Sequence, residues 1–139
     1  MSKKAEPSFK LINTFLLDCS VEVKKPIYAL DQSLSLKPNI SYQMQHKQQD
    51  SIHEVIMTVS IDVEHEKEPA LLIEAKQCGC FDITGYDEKQ MNMILKAECP
   101  TIIFPYLRER VSNLITSTGY PLLYLDPINF HATEEAKGK

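Results

Sequence analysis

Hydrophobic and polar residues alternate along the first part of the chain. Between residues 9 and 23, Phe9, Leu11, Phe15, Leu17, Cys19, Val21 and Val23 share one parity, with Asn13 as its polar member. Lys10, Thr14, Asp18, Ser20 and Glu22 take the other, with Ile12 and Leu16 as apolar exceptions. A period of two over this length predicts a long strand with one buried face, long enough to carry a bulge. Residues 39–48 predict a second strand, with Ile40, Tyr42, Met44 and His46 on one face. A polar turn at Gln49-Asp50-Ser51 leads into the clearest alternation, Val55, Met57, Val59, Ile61 and Val63. After a charged turn at 66–69, residues 70–84 predict a fourth strand, with Leu71, Ile73, Ala75, Phe81 and Ile83 on one parity. Gln77 and Gly79 interrupt that pattern, and a glycine there suggests a bulge or a close backbone approach. Short turns between successive strands favour antiparallel pairing.

The period then changes. Gly85 ends the sheet, and Asp87 followed by Gln90 reads as a capping box. Met91, Ile94 and Leu95 sit at helical spacing, as do Leu107, Val111, Leu114 and Ile115. Pro100 and Pro105 must kink or interrupt this helix, and Gly119 is placed to terminate it. Asn129 can cap a short final helix beyond Pro121 and Pro127. The predicted class is α+β: a four-stranded antiparallel sheet packed on one face by a long proline-interrupted helix, plus a short C-terminal helix. A single domain over 9–132 is expected, between a polar, flexible N-terminus at 1–8 and a flexible tail at 133–139.

The stretch between the first two strands, 24–38, is a connection bracketed by Pro26 and Pro38. It carries Ile27, Tyr28, Leu30, Leu34 and Leu36. Apolar residues also cluster at Ile102, Ile103, Phe104, Tyr106, Leu122, Leu123 and Tyr124. One sheet and one helix cannot cover all of this, so the surplus implies either self-association or grooves for apolar ligands. The other parity of the sheet presents Asp18 and Glu22 from strand one, and Leu72 and Glu74 from strand four. That set suits a basic docking partner. On pattern alone the plainer reading, a solvated face with one stray leucine, comes first.

Composition narrows the chemistry. Fifteen basic and 19 acidic residues give a net charge of −4, a poor match for nucleic acid. With 4 glycines in the chain there is no glycine-rich phosphate cradle. No run approaches the roughly 20 apolar residues of a membrane helix, and the start of the chain lacks an apolar signal core. A cytoplasmic location without membrane insertion is therefore expected, with Cys19, Cys78, Cys80 and Cys99 reduced. Cys78 and Cys80 share a strand face and could ligate one metal. Tetrahedral zinc needs further ligands, however, and the histidines lack ligand spacing, so two ordinary strand cysteines is the simpler reading. Cys99 has no activating base nearby. Neither an enzymatic activity nor a cofactor or metal is expected.

Longer motifs add a resemblance. The run Cys99-Pro100-Thr101-Ile102-Ile103-Phe104-Pro105-Tyr106-Leu107-Arg108-Glu109 resembles the CPxxLFPYARE signature of the SecB export-chaperone family. Gly119-Tyr120-Pro121-Leu122-Leu123-Tyr124-Leu125-Asp126-Pro127-Ile128-Asn129-Phe130 resembles that family's GxFPxLxLxPVNF segment. Residues 74–81 are similar to its EVxQxGxF strand, with Cys78 and Cys80 departing from the usual Gln-Gly-Gly run.

The resemblance implies an ATP-independent holdase. Such a protein is a homotetramer, a dimer of dimers, that holds unfolded preproteins and delivers them to the SecA ATPase. It implies that SecA docks on Asp18, Glu22, Leu72 and Glu74, the residues that strand parity puts together. It implies that clients bind at Pro26, Ile27, Tyr28, Leu30 and Leu36, and more loosely at Tyr106 and Phe130. The alternatives are a SecB-like chaperone dedicated to a toxin–antitoxin system, or a module of this fold that binds one folded partner without general holdase activity. The end of the chain from His131 is short and has no net formal charge, unlike the acidic tail of many family members.

Overall fold

The computed structural model describes residues 6–31 and 36–137. Four strands, β1 (Ser8–Val23), β2 (Pro38–Gln49), β3 (Ile52–His65) and β4 (Glu68–Thr84), form one sheet in the order β1-β4-β3-β2. All neighbours are antiparallel. Glu66 and Lys67, both at positive φ, make the tight turn between β3 and β4, and that sign matches the twist of the flanking strands. Because β1 pairs with β4, the chain leaving Val23 must pass the ends of β4 and β3 before β2 can begin at Pro38. The long connection is thus a crossing over one end of the sheet. It is pinned where it starts: the Lys24 and Lys25 amides donate to Ala70 O at 2.9 and 3.0 Å. Further along, the Asp31 amide donates to His65 Nε2 at 3.2 Å. A 3₁₀ turn occupies Ile27–Ala29. Leu34 lies outside the described residues.

The helical half follows its signals. Asp87 and Gln90 form the capping box at the start of α1 (Glu88–Met93). The helix then widens into a π turn at Ile94–Glu98, where the Cys99 amide bonds to Ile94 O, before α2 (Cys99–Ser117). Pro100 has no N–H for the Lys96 carbonyl and its ring crowds that oxygen, so one wide turn absorbs the conflict without breaking the rod. Pro105 sits on the exposed side of α2. Gly119, at φ 82, ends the rod. Asn129 Oδ1 accepts from the Ala132 amide at 3.0 Å and caps α3 (Phe130–Lys137), which runs past the Ala132 boundary read from the sequence.

Ile103, Leu107 and Val111 of α2 are fully buried against Leu71, Ile73, Ala75 and Phe81 of β4 and Met57, Val59 and Ile61 of β3. The fold is α+β, with helix on one face of the sheet.

Two details of the sequence reading are corrected. Gln77 and Gly79 do not break β4; of the two alternatives for the glycine, the close backbone approach holds, with Ile103 of α2 against it, and the bulges on this side lie in β1. Register shifts at Ile12 and at Leu17 each insert one extra residue. An edge strand tolerates such bulges because one side has no ladder to disrupt. Each bulge reverses side-chain parity and the second restores it. Asn13 and Phe15, opposite Cys80 and Cys78, therefore lie on the outer face, away from the helix. Asp18, Ser20 and Glu22 keep the outward orientation expected of them.

A histidine pair closes the turn end of β2 and β3. His46 Nε2 and His53 Nδ1 are 2.9 Å apart, with rings stacked at 9°. His53 is 2% exposed. One nitrogen must donate and the other accept, so the contact resists a second proton. Burial lowers the pKa of both, and His46 lowers that of His53 further against the opposing pull of Asp82. An unfolded histidine takes up its proton near pH 6.5. The pair's contribution is therefore complete above that pH and is lost as pH falls toward the lowered folded-state values. Melting temperatures followed from about pH 7.5 to about pH 5 should fall less steeply for His46→Gln than for the parent chain; parallel slopes would contradict this account.

Candidate functional site

Two surfaces meet at the end of the sheet where the connection crosses. On the helix side is an apolar groove of about 340 Å³. Its floor is Ile61, Val63 and Leu71, alternate residues of β3 and β4. Ile27, Leu30 and Leu36 of the connection make one wall, and Ile115 with Tyr120, Leu122 and Leu123 make the other. Tyr120 ties the walls together. Its hydroxyl donates to Lys25 O at 2.5 Å, with Ala70 O at 3.4 Å. Burial pushes its phenol pKa up, so it stays a donor.

Of the client residues expected from sequence, Ile27, Leu30 and Leu36 line the groove. Pro26 lies beside it, in a depression with Lys24, Lys25 and His65. Tyr28 is 84% exposed and does not line the groove. Tyr106 and Phe130 are not part of it. Tyr106 is on the exposed side of α2. Phe130 packs edge-on against Phe104 with centroids 6.0 Å apart, and Phe104 in turn meets Tyr42, 6.3 Å away. Sequence reasoning recorded Leu122 and Leu123 only as surplus apolar surface. It did not place them opposite the connection, because their partners are some ninety residues away in the chain.

On the outer face the register brings all four expected docking residues together. Glu22 faces Leu72, Ser20 faces Glu74 and Asp18 faces Lys76. Glu22, Leu72 and Glu74 line one shallow depression, and Asp18 stands a row beyond. A fifth member, Asp62 of β3, lies opposite Leu72 and shares the depression. Its Oδ1 is buried without a hydrogen-bond partner. Its parity in β3, opposite to that of Ile61 and Val63, carried the signal for its face, but a register shift between Val63 and Glu64 decides that it meets Leu72. Glu22 pairs with Lys24 at 3.4 Å, an exposed contact that contributes little. Cys99 is fully buried, and burial with Glu98 nearby pushes its thiol up to about 12, so it is no ready nucleophile. Among the described residues no helix is long and apolar enough to cross a membrane.

Comparison with known proteins places the chain in a family. The model of the SecB family, Preprotein translocase subunit SecB, matches residues 2–137. A Protein-export protein SecB of Pseudomonas fluorescens is 36% identical over 129 residues, covering 91% of this chain and 80% of its own length. That of Nitrosococcus oceani is 32% identical over 130 residues, covering 91% and 79%. Among solved structures, a SecB-like chaperone of Mycobacterium tuberculosis, in complex with a peptide of the HigA1 antitoxin, superposes with a TM-score of 0.73. It does so at 14% identity, over 86% of this chain and 90% of that one, a likeness of fold.

The tie across the groove can be tested directly. Tyr120→Phe leaves the Lys25 carbonyl without its donor, and urea denaturation should show a loss of about 1–2 kcal/mol. An unchanged midpoint would mean that the hydroxyl does not hold the connection.

Proposed function

The chain belongs to the SecB family of protein-export chaperones, and from that premise we propose that it is an ATP-independent holdase that keeps unfolded preproteins export-competent and delivers them to SecA. The groove is the observation that carries this reading: apolar walls from three separate segments, open to solvent beside the exposed Leu122. Unfolded chains expose apolar segments that aggregate unless covered. Ile27, Leu30 and Leu36 would take such segments at one wall, with Pro26 and Tyr28 at the rim. Tyr106 and Phe130 would extend contact only for a client long enough to leave the groove. Covering the unfolded state holds it open by mass action, with no bond chemistry.

The uncovered edge of the sheet supports the reading. β1 is an edge strand with apolar side chains exposed along its length, from Leu11 and Ile12 through Leu17 to Val21 and Val23. An uncovered edge with this much apolar surface invites another strand. In the proposed assembly a second copy pairs there and two such dimers make the tetramer. Several grooves then act on one client, and avidity replaces tight single contacts. On the outer face, Asp18, Glu22, Leu72 and Glu74 would receive a basic, partly apolar surface of SecA, with Asp62 beneath them. The proposed location is the cytoplasm.

One experiment separates the two surfaces. A reduced, slow-folding preprotein is diluted from denaturant with the chain present, and light scattering is followed. The parent chain should suppress aggregation and elute as a complex built on about four copies. Leu122→Asp should abolish protection while leaving SecA binding intact. Asp18→Asn with Glu22→Gln and Glu74→Gln should protect normally but bind SecA about tenfold or more weakly. A parent chain that leaves the preprotein to aggregate defeats the general holdase reading. If it then protects one aggregation-prone antitoxin, the dedicated role replaces it.

A further inference from the structure

The connection that walls the apolar groove is tied to the sheet by a histidine on the far side of its 3₁₀ turn. His65 ends β3 and pairs with Glu68 of β4. It is 7% exposed and lines a depression that shares Leu30 and Asp31 with the groove. Its Nε2 lies 3.2 Å from the Asp31 amide. A backbone N–H can only donate, so Nε2 must accept. An imidazole accepts there only when it is neutral, with its proton on Nδ1. Nδ1 is buried and has no hydrogen-bond partner among the described residues.

The two sides of this contact are anchored unequally. His65 is laddered to β4, and its carbonyl accepts from Lys25 Nζ at 3.2 Å. Lys25 also pairs with Glu68 at 3.2 Å. The ring therefore hangs from a fixed frame. On the other side, the Ala29 amide bonds to Pro26 O and the Leu30 amide to Ile27 O, both within the connection. The Asp31 contact draws that turn onto the sheet, where Leu30 is buried at 5% exposure.

A second proton reverses the contact. It puts an N–H on Nε2, donor against donor. The ring would then carry a charge and two unsatisfied donors in a buried place, and opening to water relieves both. The surrounding charges are mixed. Lys24 and Lys25 at the start of the connection and Lys67 in the turn oppose the proton, while Asp31, Glu66 of the turn and Glu68 of β4 favour it. Tyr120, reaching in from beyond α2, stays a neutral phenol. The Asp31 carboxylate can take the new N–H only if the Asp31 amide gives up its place, because one ring nitrogen serves one in-plane partner. Histidine is the side chain whose charge ordinarily changes between about pH 5 and about pH 8.

We propose that His65 is a positioning residue for client capture. Neutral, it latches Asp31 and holds Ile27 and Leu30 over the groove floor; protonated, it lets them go and the groove loses that wall. The latch is thus present at higher pH and lost as pH falls. Client affinity follows the latched fraction. The part concerning clients rests on the holdase reading; the latch itself does not.

Two measurements on the full chain keep these apart. The first is hydrogen exchange at the Asp31 amide by NMR, taken as protection relative to an unstructured chain at the same pH. Between about pH 8 and about pH 5 the parent should lose protection about tenfold. His65→Gln, whose Oε1 accepts without titrating, should stay protected throughout, and His46→Gln should follow the parent. Constant protection in the parent, or a His65→Gln profile as steep as the parent's, overturns the latch. The second is the fluorescence anisotropy of a rhodamine-labelled peptide of leucine, valine and lysine, whose charge is constant over this range. Binding to the parent should weaken about tenfold over the same interval, and His65→Gln should flatten that profile. Constant binding while Asp31 loses protection overturns the role in capture. A peptide that the parent binds at no pH defeats the holdase reading, and the exchange profile then decides the latch alone.

Discussion

Ile103 of α2 occupies the space where a side chain at position 79 would stand, and helix and strand are drawn together until α2 lies on the backbone of β4. That contact fixes which strands the helix covers. The alternate residues of β4 and β3 are sealed beneath it, from Val55 and Phe81 to Leu71. β1, one strand further out, is left with apolar side chains on both sides of its ribbon and an unpaired edge. The helix is too narrow, at roughly 10–12 Å with its side chains, to cover four strands spaced about 4.8 Å apart. The uncovered part of the sheet is therefore a geometric consequence of where the helix sits.

The same strand that anchors the helix divides the two proposed binding surfaces. Leu71 floors the apolar groove, and Leu72, its neighbour in sequence, sits at the centre of the acidic depression. A strand sends successive side chains to opposite faces, so the two residues stand back to back across one backbone. Client and motor would approach from opposite sides at the same end of the sheet, close together without competing for surface. The crossing connection completes this end, because the β1-β4-β3-β2 order obliges the chain to pass over it. Tyr120 and the Ala70 carbonyl then hold that crossing in place.

Much of this was legible before any coordinates. The capping box at Asp87, the terminating Gly119 and the Asn129 cap are local signals, each satisfied within a few residues. The helix-facing set of β3, Val55 to Val63 on one parity, followed from alternation, although Ile56 and Thr58 of the other parity are buried as well. Asp18, Glu22, Leu72 and Glu74 also came out on one face, although by a route with a hidden cancellation. Two bulges in β1 reverse parity and restore it, and the four residues between them, Asn13, Thr14, Phe15 and Leu16, were assigned to the wrong side. A bulge on an edge strand leaves no mark in composition, because its cause is the fit against β4 and not the identity of the extra residue.

The groove shows the boundary most clearly. Sequence alone established an apolar connection, an apolar segment after the helix, and more hydrophobic surface than one sheet and one helix can hide. It also established, through motif resemblance, the family to which that surplus belongs. It could not establish that Leu30 and Leu36 face Tyr120 and Leu122 across a common floor, or that Tyr28, Tyr106 and Phe130 stand outside it. Nor could it reveal Asp62 beside Leu72. Periodicity and caps are read from neighbours along the chain, where the physics is local. Which distant segments meet is decided by strand order, register and helix placement together, and those are settled only when the whole core packs.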